Sequence, residues 1–158
     1  MSSSKGIVIA VLCCLAVAPT SAKEEFTPSA YLKLLRADVR LERMGILREA
    51  LDLSEEQGKA FWPIFREYDL ELQRLGDRRV GLVQTFVDSY GTFTDDQVSS
   101  FAKDWFGLHS DRLKLRKKYF DKVSKAVSPK VAAQFIQVEN VVGMMIDLQI
   151  AAELPLLE

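Results

Sequence analysis

Cysteine occurs only at Cys13 and Cys14, and histidine only at His109, in a chain of 158 residues. Both cysteines fall in an apolar run near the N-terminus, so the chain beyond residue 22 has no disulfide, thiol nucleophile or cysteine-based metal site. A histidine triad needs a partnered nucleophile and an orienting acid, and nothing near His109 has that spacing. Ser110 is its neighbour in sequence and would point elsewhere on a helix. The acidic pairs Glu55-Glu56, Asp95-Asp96 and Asp69/Glu71 likewise do not converge on one ion, so no metal site, cofactor site or catalytic residue is expected. Large charge of one sign is also missing. Lys5 aside, the chain carries 20 basic and 22 acidic residues, which argues against a general nucleic-acid binder. After the N-terminal run no apolar stretch approaches the roughly 20 residues that cross a bilayer, and residues 23–158 are expected to be soluble.

Residues 1–22 have the three parts of a secretory signal. Lys5 supplies the positive charge, Gly6 to Ala18 the apolar stretch, and Pro19-Thr20-Ser21-Ala22 a small-residue end with Thr20 and Ala22 at the −3 and −1 positions. Cleavage is expected after Ala22, with 23–158 forming a single domain. The residue ahead of the cysteine pair, Leu12, is not the small one that lipoprotein processing requires, so Cys13 and Cys14 read as apolar filler.

The rest is poor in strand signals and rich in helix punctuation. Thr27-Pro28 and Ser128-Pro129 each offer a cap followed by proline at the first helical position. Ser54-Glu55-Glu56-Gln57 and Thr94-Asp95-Asp96-Gln97 are capping boxes. These signals predict an all-α fold with helices over 28–51, 54–90, 94–127 and 129–152. Gly91-Thr92-Phe93 is a short connection, so the second and third helices should form a long antiparallel hairpin. Phe61, Phe65, Tyr68, Leu72, Leu75, Leu82 and Phe86 keep 4-3 spacing, broken by Arg79. Val98, Phe101, Trp105, Leu108, Leu115, Tyr119 and Ala126 keep it in the third helix, broken by Arg112 and Lys122. The long stems of those three cations can cover apolar surface while their charges stay wet. Phe106, Leu113, Phe120 and Val127 make a second stripe. Pro63 predicts a kink at 59–63. The last helix is apolar nearly all round, which favours a homodimer, with this helix either inside one chain or shared between subunits. Its acid Asp147 should lie on a narrow wet side or pair with Arg36, Arg40, Arg43 or Arg48 of the first helix.

Basic residues cluster on the hairpin. Arg74, Arg78, Arg79, Arg112, Arg116 and Lys117, with Phe65, Phe106 and Phe120, are the candidate client-contact residues. An ordinary solvated face, with Glu71, Asp77, Asp111 and Asp121 as local partners, is the plain alternative.

Leu53-Ser54-Glu55-Glu56-Gln57 and Phe93-Thr94-Asp95-Asp96-Gln97 resemble the LTXXQ motif of the Spy/CpxP family of periplasmic proteins. Val127-Ser128-Pro129 stands where a further copy would begin, with Val131 in place of its glutamine. The resemblance implies a cradle-shaped antiparallel dimer of bent hairpins that holds partly unfolded clients without ATP, or an accessory protein of envelope-stress sensor kinases. The histidine-rich segments of the family's zinc-binding branch are absent. The expected function is therefore a periplasmic, non-enzymatic, chaperone-like or stress-adaptor protein. The alternative is a structural or regulatory protein with one dedicated partner, such as a sensor-kinase ectodomain.

Overall fold

A computed structural model describes residues 38–156, and they form an all-α fold: α1 Asp38–Leu51, α2 Glu55–Asp88, α3 Asp95–Ala126 and α4 Pro129–Glu153. The predicted signal sequence, its cleavage point and the first ten residues of the predicted 28–51 helix lie outside the described residues.

The caps place the helices. Ser54 Oγ accepts the Gln57 N–H at 3.2 Å while Gln57 Oε1 accepts the Ser54 N–H at 3.0 Å. Thr94 and Gln97 repeat the exchange at 3.3 and 2.9 Å. Each box meets two backbone donors that the helix start would leave open. Ser128 Oγ accepts the Val131 N–H, with Pro129 as the first helical residue. α2 stops at Asp88, two residues short of the predicted end, where the Tyr90 N–H bonds the Val87 carbonyl three residues back in place of the helical bond four back. Gly91 then takes a φ of +72°, a left-handed conformation that costs glycine little and other residues more. α2 is continuous through Pro63, whose ring lies on the exposed side of the helix.

α2 and α3 form the predicted antiparallel hairpin, α3 packs on α4, and α1 packs on α4. The main core gathers Leu47 and Leu51 of α1, Phe61, Phe65 and Tyr68 of α2, Leu115, Tyr119 and Val123 of α3, and Val131, Ala132 and Phe135 of α4. Phe135 stands edge-on to Phe61, Phe65 and Tyr68, with ring centroids 5.6, 6.2 and 5.1 Å away. Edge-to-face contact suits the charge distribution of aromatic rings better than a face-to-face sandwich. A second, smaller core joins Val83 to Ile150, with Val80, Val87, Trp105, Ile146 and Leu154 packed around them.

α4 is enclosed on one side only. Val131, Ala132, Phe135, Val142 and Ile150 are buried, while Val141, Met144, Met145 and Leu148 are 52, 62, 59 and 71% exposed. This two-sidedness is testable by urea unfolding. Phe135→Ala should cost about 3–5 kcal/mol, the loss typical of truncating a buried aromatic ring. Leu148→Ala should stay within about 0.5 kcal/mol of the parent. Equal losses at the two positions would mean that both sides of α4 are covered.

Candidate protein-binding face and its charged seam

Several of the hairpin's basic residues serve the hairpin itself. Lys118 Nζ donates to both Glu71 oxygens at 2.6 and 2.8 Å, and Lys122 Nζ to Glu67 at 2.7 Å. Arg78 and Lys114 share Asp111 at 2.8 and 3.1 Å. The Lys118 hydrogen bond holds the Glu71 carboxyl below its ordinary range, and the Arg78 hydrogen bond does the same for Asp111. Tyr119 adds a hydrogen bond to Glu71 at 2.8 Å; burial and that bond push its hydroxyl pKa up. These contacts form a ladder between α2 and α3, with partners close to those expected for a solvated face.

Arg79 does not keep its charge in water as its place in the seam suggested. It is buried, and Nη2 donates to Asp147 Oδ1 of α4. Arg112 Nη1 donates to the same oxygen at 3.2 Å. Among the described residues Asp147 therefore pairs with cations of α2 and α3, whereas two of the first-helix groups expected for it, Arg36 and the Arg40 side chain, lie outside what the structure describes. Burial alone would raise its pKa, but the charges and hydrogen bonds of Arg79 and Arg112 overturn that and leave it below the ordinary value. Arg43 of the first helix serves another α4 acid, Glu139. Its Nε approaches Glu139 Oε1 at 3.4 Å, and its Nη1 lies 3.8 Å from Asp69. The Arg43–Glu139 approach is an ion pair without hydrogen-bond alignment. Tyr68 closes the network by donating to Glu139 Oε2 at 2.6 Å, and burial followed by the Glu139 charge pushes its hydroxyl pKa up.

His109 lies on the rim of α3, its ring 5.2 Å from that of Trp105. Partial desolvation lowers its pKa, and Arg112, Arg79 and Arg116 add to that against the opposing pull of Asp147.

The candidate client-contact residues therefore separate. Phe65 is 2% exposed and belongs to the main core, so the folded chain offers none of it to a client. Phe120 is half-buried against the same core. Arg78, Arg79 and Arg112 are engaged in ion pairs. Arg74 and Lys117 are exposed, Arg116 is half-buried, and Phe106 is 72% exposed. Leu113, one heptad on from Phe106, is exposed too.

A face that the sequence reading did not single out completes the surface. Val141, Met144, Met145 and Leu148 follow i, i+3, i+4, i+7 spacing and so lie on one side of α4. Their spacing was readable. Which of several apolar stripes turns outward was not, because α4 is apolar nearly all round.

Two predictions follow from the acids of α4. Tyr68→Phe should cost about 1–3 kcal/mol in denaturant unfolding, because it leaves a buried carboxylate oxygen without its donor. For Asp147 the folded pKa is depressed, so its contribution to stability is present above the ordinary value of 3.8 and is lost as pH falls through the folded value. Asp147→Asn should therefore shrink the acid loss of stability, measured as the change in thermal midpoint between pH 6 and about 2.5. An unchanged acid limb would mean that Asp147 is not held by Arg79 and Arg112.

No protein-family model, no curated protein and no solved structure matches this chain.

Proposed function

We propose that this chain is an exported, non-enzymatic binding protein that holds apolar segments of partly unfolded proteins without ATP. One observation carries the reading: the outward stripe Val141, Met144, Met145 and Leu148 of α4, on a helix packed beside the α3 that exposes Phe106 and Leu113. Exposed apolar surface of this regularity marks an interaction site. Methionine suits varied partners, since its unbranched thioether chain repacks easily. Arg116 and Lys117 on α3 would steer acidic stretches of a client towards it. Export is supported by the signal pattern of residues 1–22. The two LTXXQ-like motifs add the family resemblance, although both are accounted for by the capping boxes they form.

The regular one-helix width of the stripe supports a second reading, in which a copy of the same chain or one dedicated envelope partner covers it.

Aggregation of an unfolding client, followed by light scattering, tests the first reading. Residues 23–158 in molar excess should slow it, and the Met144→Asp/Leu148→Asp double variant should lose most of that effect while keeping its helical circular dichroism. Equal protection by both proteins would sink the assignment to this face. The molar mass in solution tests the second. A dimer that becomes a monomer in the double variant supports self-association through α4, and a monomeric parent overturns it.

A further inference from the structure

Three arginines gather between α3 and α4 with too little negative charge to satisfy them. Arg79 and Arg112 both donate to one oxygen of Asp147. Arg79 is 5% exposed, and its Nε is buried without a hydrogen-bond partner. Arg116 makes no ion pair or hydrogen bond among the described residues. Its guanidinium is nonetheless held close to α4: Nη2 lies 2.7 Å from the point where a Cβ on Gly143 would stand, and Arg112 Nη2 lies 3.1 Å from that same point. The two terminal nitrogens are therefore within about 6 Å of each other. Like charges at that separation repel, and partial burial strengthens the repulsion. One turn ahead of Gly143 stand Asn140 and the acid Glu139, but the Glu139 carboxylate is already matched by Arg43 and Tyr68, so Asp147 is the acid left for these three arginines.

Gly143 has a role here that its place inside a helix does not explain. Glycine in a helix interior costs about 1 kcal/mol relative to alanine. The missing Cβ is what leaves room for the guanidinium groups of Arg112 and Arg116 against the α4 backbone.

We propose that Arg79, Arg112 and Arg116, gathered over Gly143, form a binding site for a phosphate-class dianion. The charge count selects the class. Three guanidinium groups against one carboxylate leave a surplus of two positive charges, which a dianion cancels and a single carboxylate does not. The geometry agrees, because guanidinium forks match the oxygens of phosphate and can engage it from two sides at once. Asp147 then orients Arg79 and Arg112, while Arg116, free of other duties, supplies the contact that the fold itself does not need. The dianion is either free phosphate or the phosphomonoester headgroup of an anionic lipid.

The test uses residues 23–158 and inorganic phosphate. A ligand bound to the folded state raises the thermal midpoint by mass action. Phosphate should raise it saturably over sodium chloride of matched ionic strength. Arg116→Gln should leave the chloride midpoint no lower than the parent's, since it removes a like-charge repulsion, and weaken phosphate affinity at least tenfold in titration calorimetry. Gly143→Ala, whose Cβ displaces both guanidinium groups, should weaken it as well. Equal midpoints in phosphate and chloride, or an Arg116→Gln variant that still responds as the parent does, overturn the proposal. Cosedimentation with phosphatidic-acid vesicles separates the sources. Binding that Arg116→Gln abolishes assigns the lipid headgroup, and no vesicle binding alongside a phosphate response assigns the free ion.

Discussion

A carboxylate leaves water only where cations or hydrogen-bond donors meet it, and α4 carries two acids, Glu139 and Asp147, to the inner side of the bundle. They are eight residues apart, about 12 Å along the helix. Glu139 draws Arg43 from α1 and Tyr68 from α2. Asp147 draws Arg79 from α2 and Arg112 from α3. Every other helix therefore touches α4 through a charged or hydrogen-bonded contact at a fixed height. An apolar seam tolerates sliding by a heptad. This one does not, since a slip would leave Arg79 and Glu139 buried without partners. The cost of breaking such a contact, several kcal/mol, far exceeds what forming it adds to stability, so these pairs act chiefly on register.

The layer around Asp147 also separates two apolar regions. Leu72 and Leu75 of α2 pack against the main core, Arg79 follows, and Val80 and Val83 begin the smaller one. Arg79 bridges the change. Its head reaches Asp147 while the guanidinium carbon stands 5.9 Å from the centre of the Trp105 ring. Cation and aromatic face attract, so a residue that interrupts the apolar pattern is still accommodated within it.

What the sequence revealed was local. Both capping boxes, the Ser128-Pro129 start and the short connection at Gly91 depend on residues within a few positions of one another, and they mark the helices to within about two residues. The hairpin followed from loop length. The pairing of charges did not follow. Arg79 and Asp147 are separated by 68 positions, Tyr68 and Glu139 by 71, and no local spacing links them. The candidate contact residues fared unevenly for a related reason. Phe65 and Phe106 look alike as aromatics on long helices, yet one completes the main core and the other faces solvent. Periodicity says which residues share a face, not which face another helix will cover.

The exposed side of α4 raises the question of what it is exposed to. By length and composition Pro129–Ala152 is apolar enough to cross a membrane, which corrects the expectation that no stretch after the N-terminal run reaches that length. Its acids argue against that use. Drawing α4 out of the bundle would carry Glu139 and Asp147 into hydrocarbon, at about 3 kcal/mol each on insertion scales. It would also leave Arg43 without Glu139, and Arg79 and Arg112 without Asp147. The side that the acids occupy is tied to the other helices, whereas the side lined by Val141, Met144, Met145 and Leu148 makes no such contact and is exposed. A helix divided in this way is suited to a partner that comes to it and leaves again, because meeting that partner breaks none of the contacts that hold the helix in place.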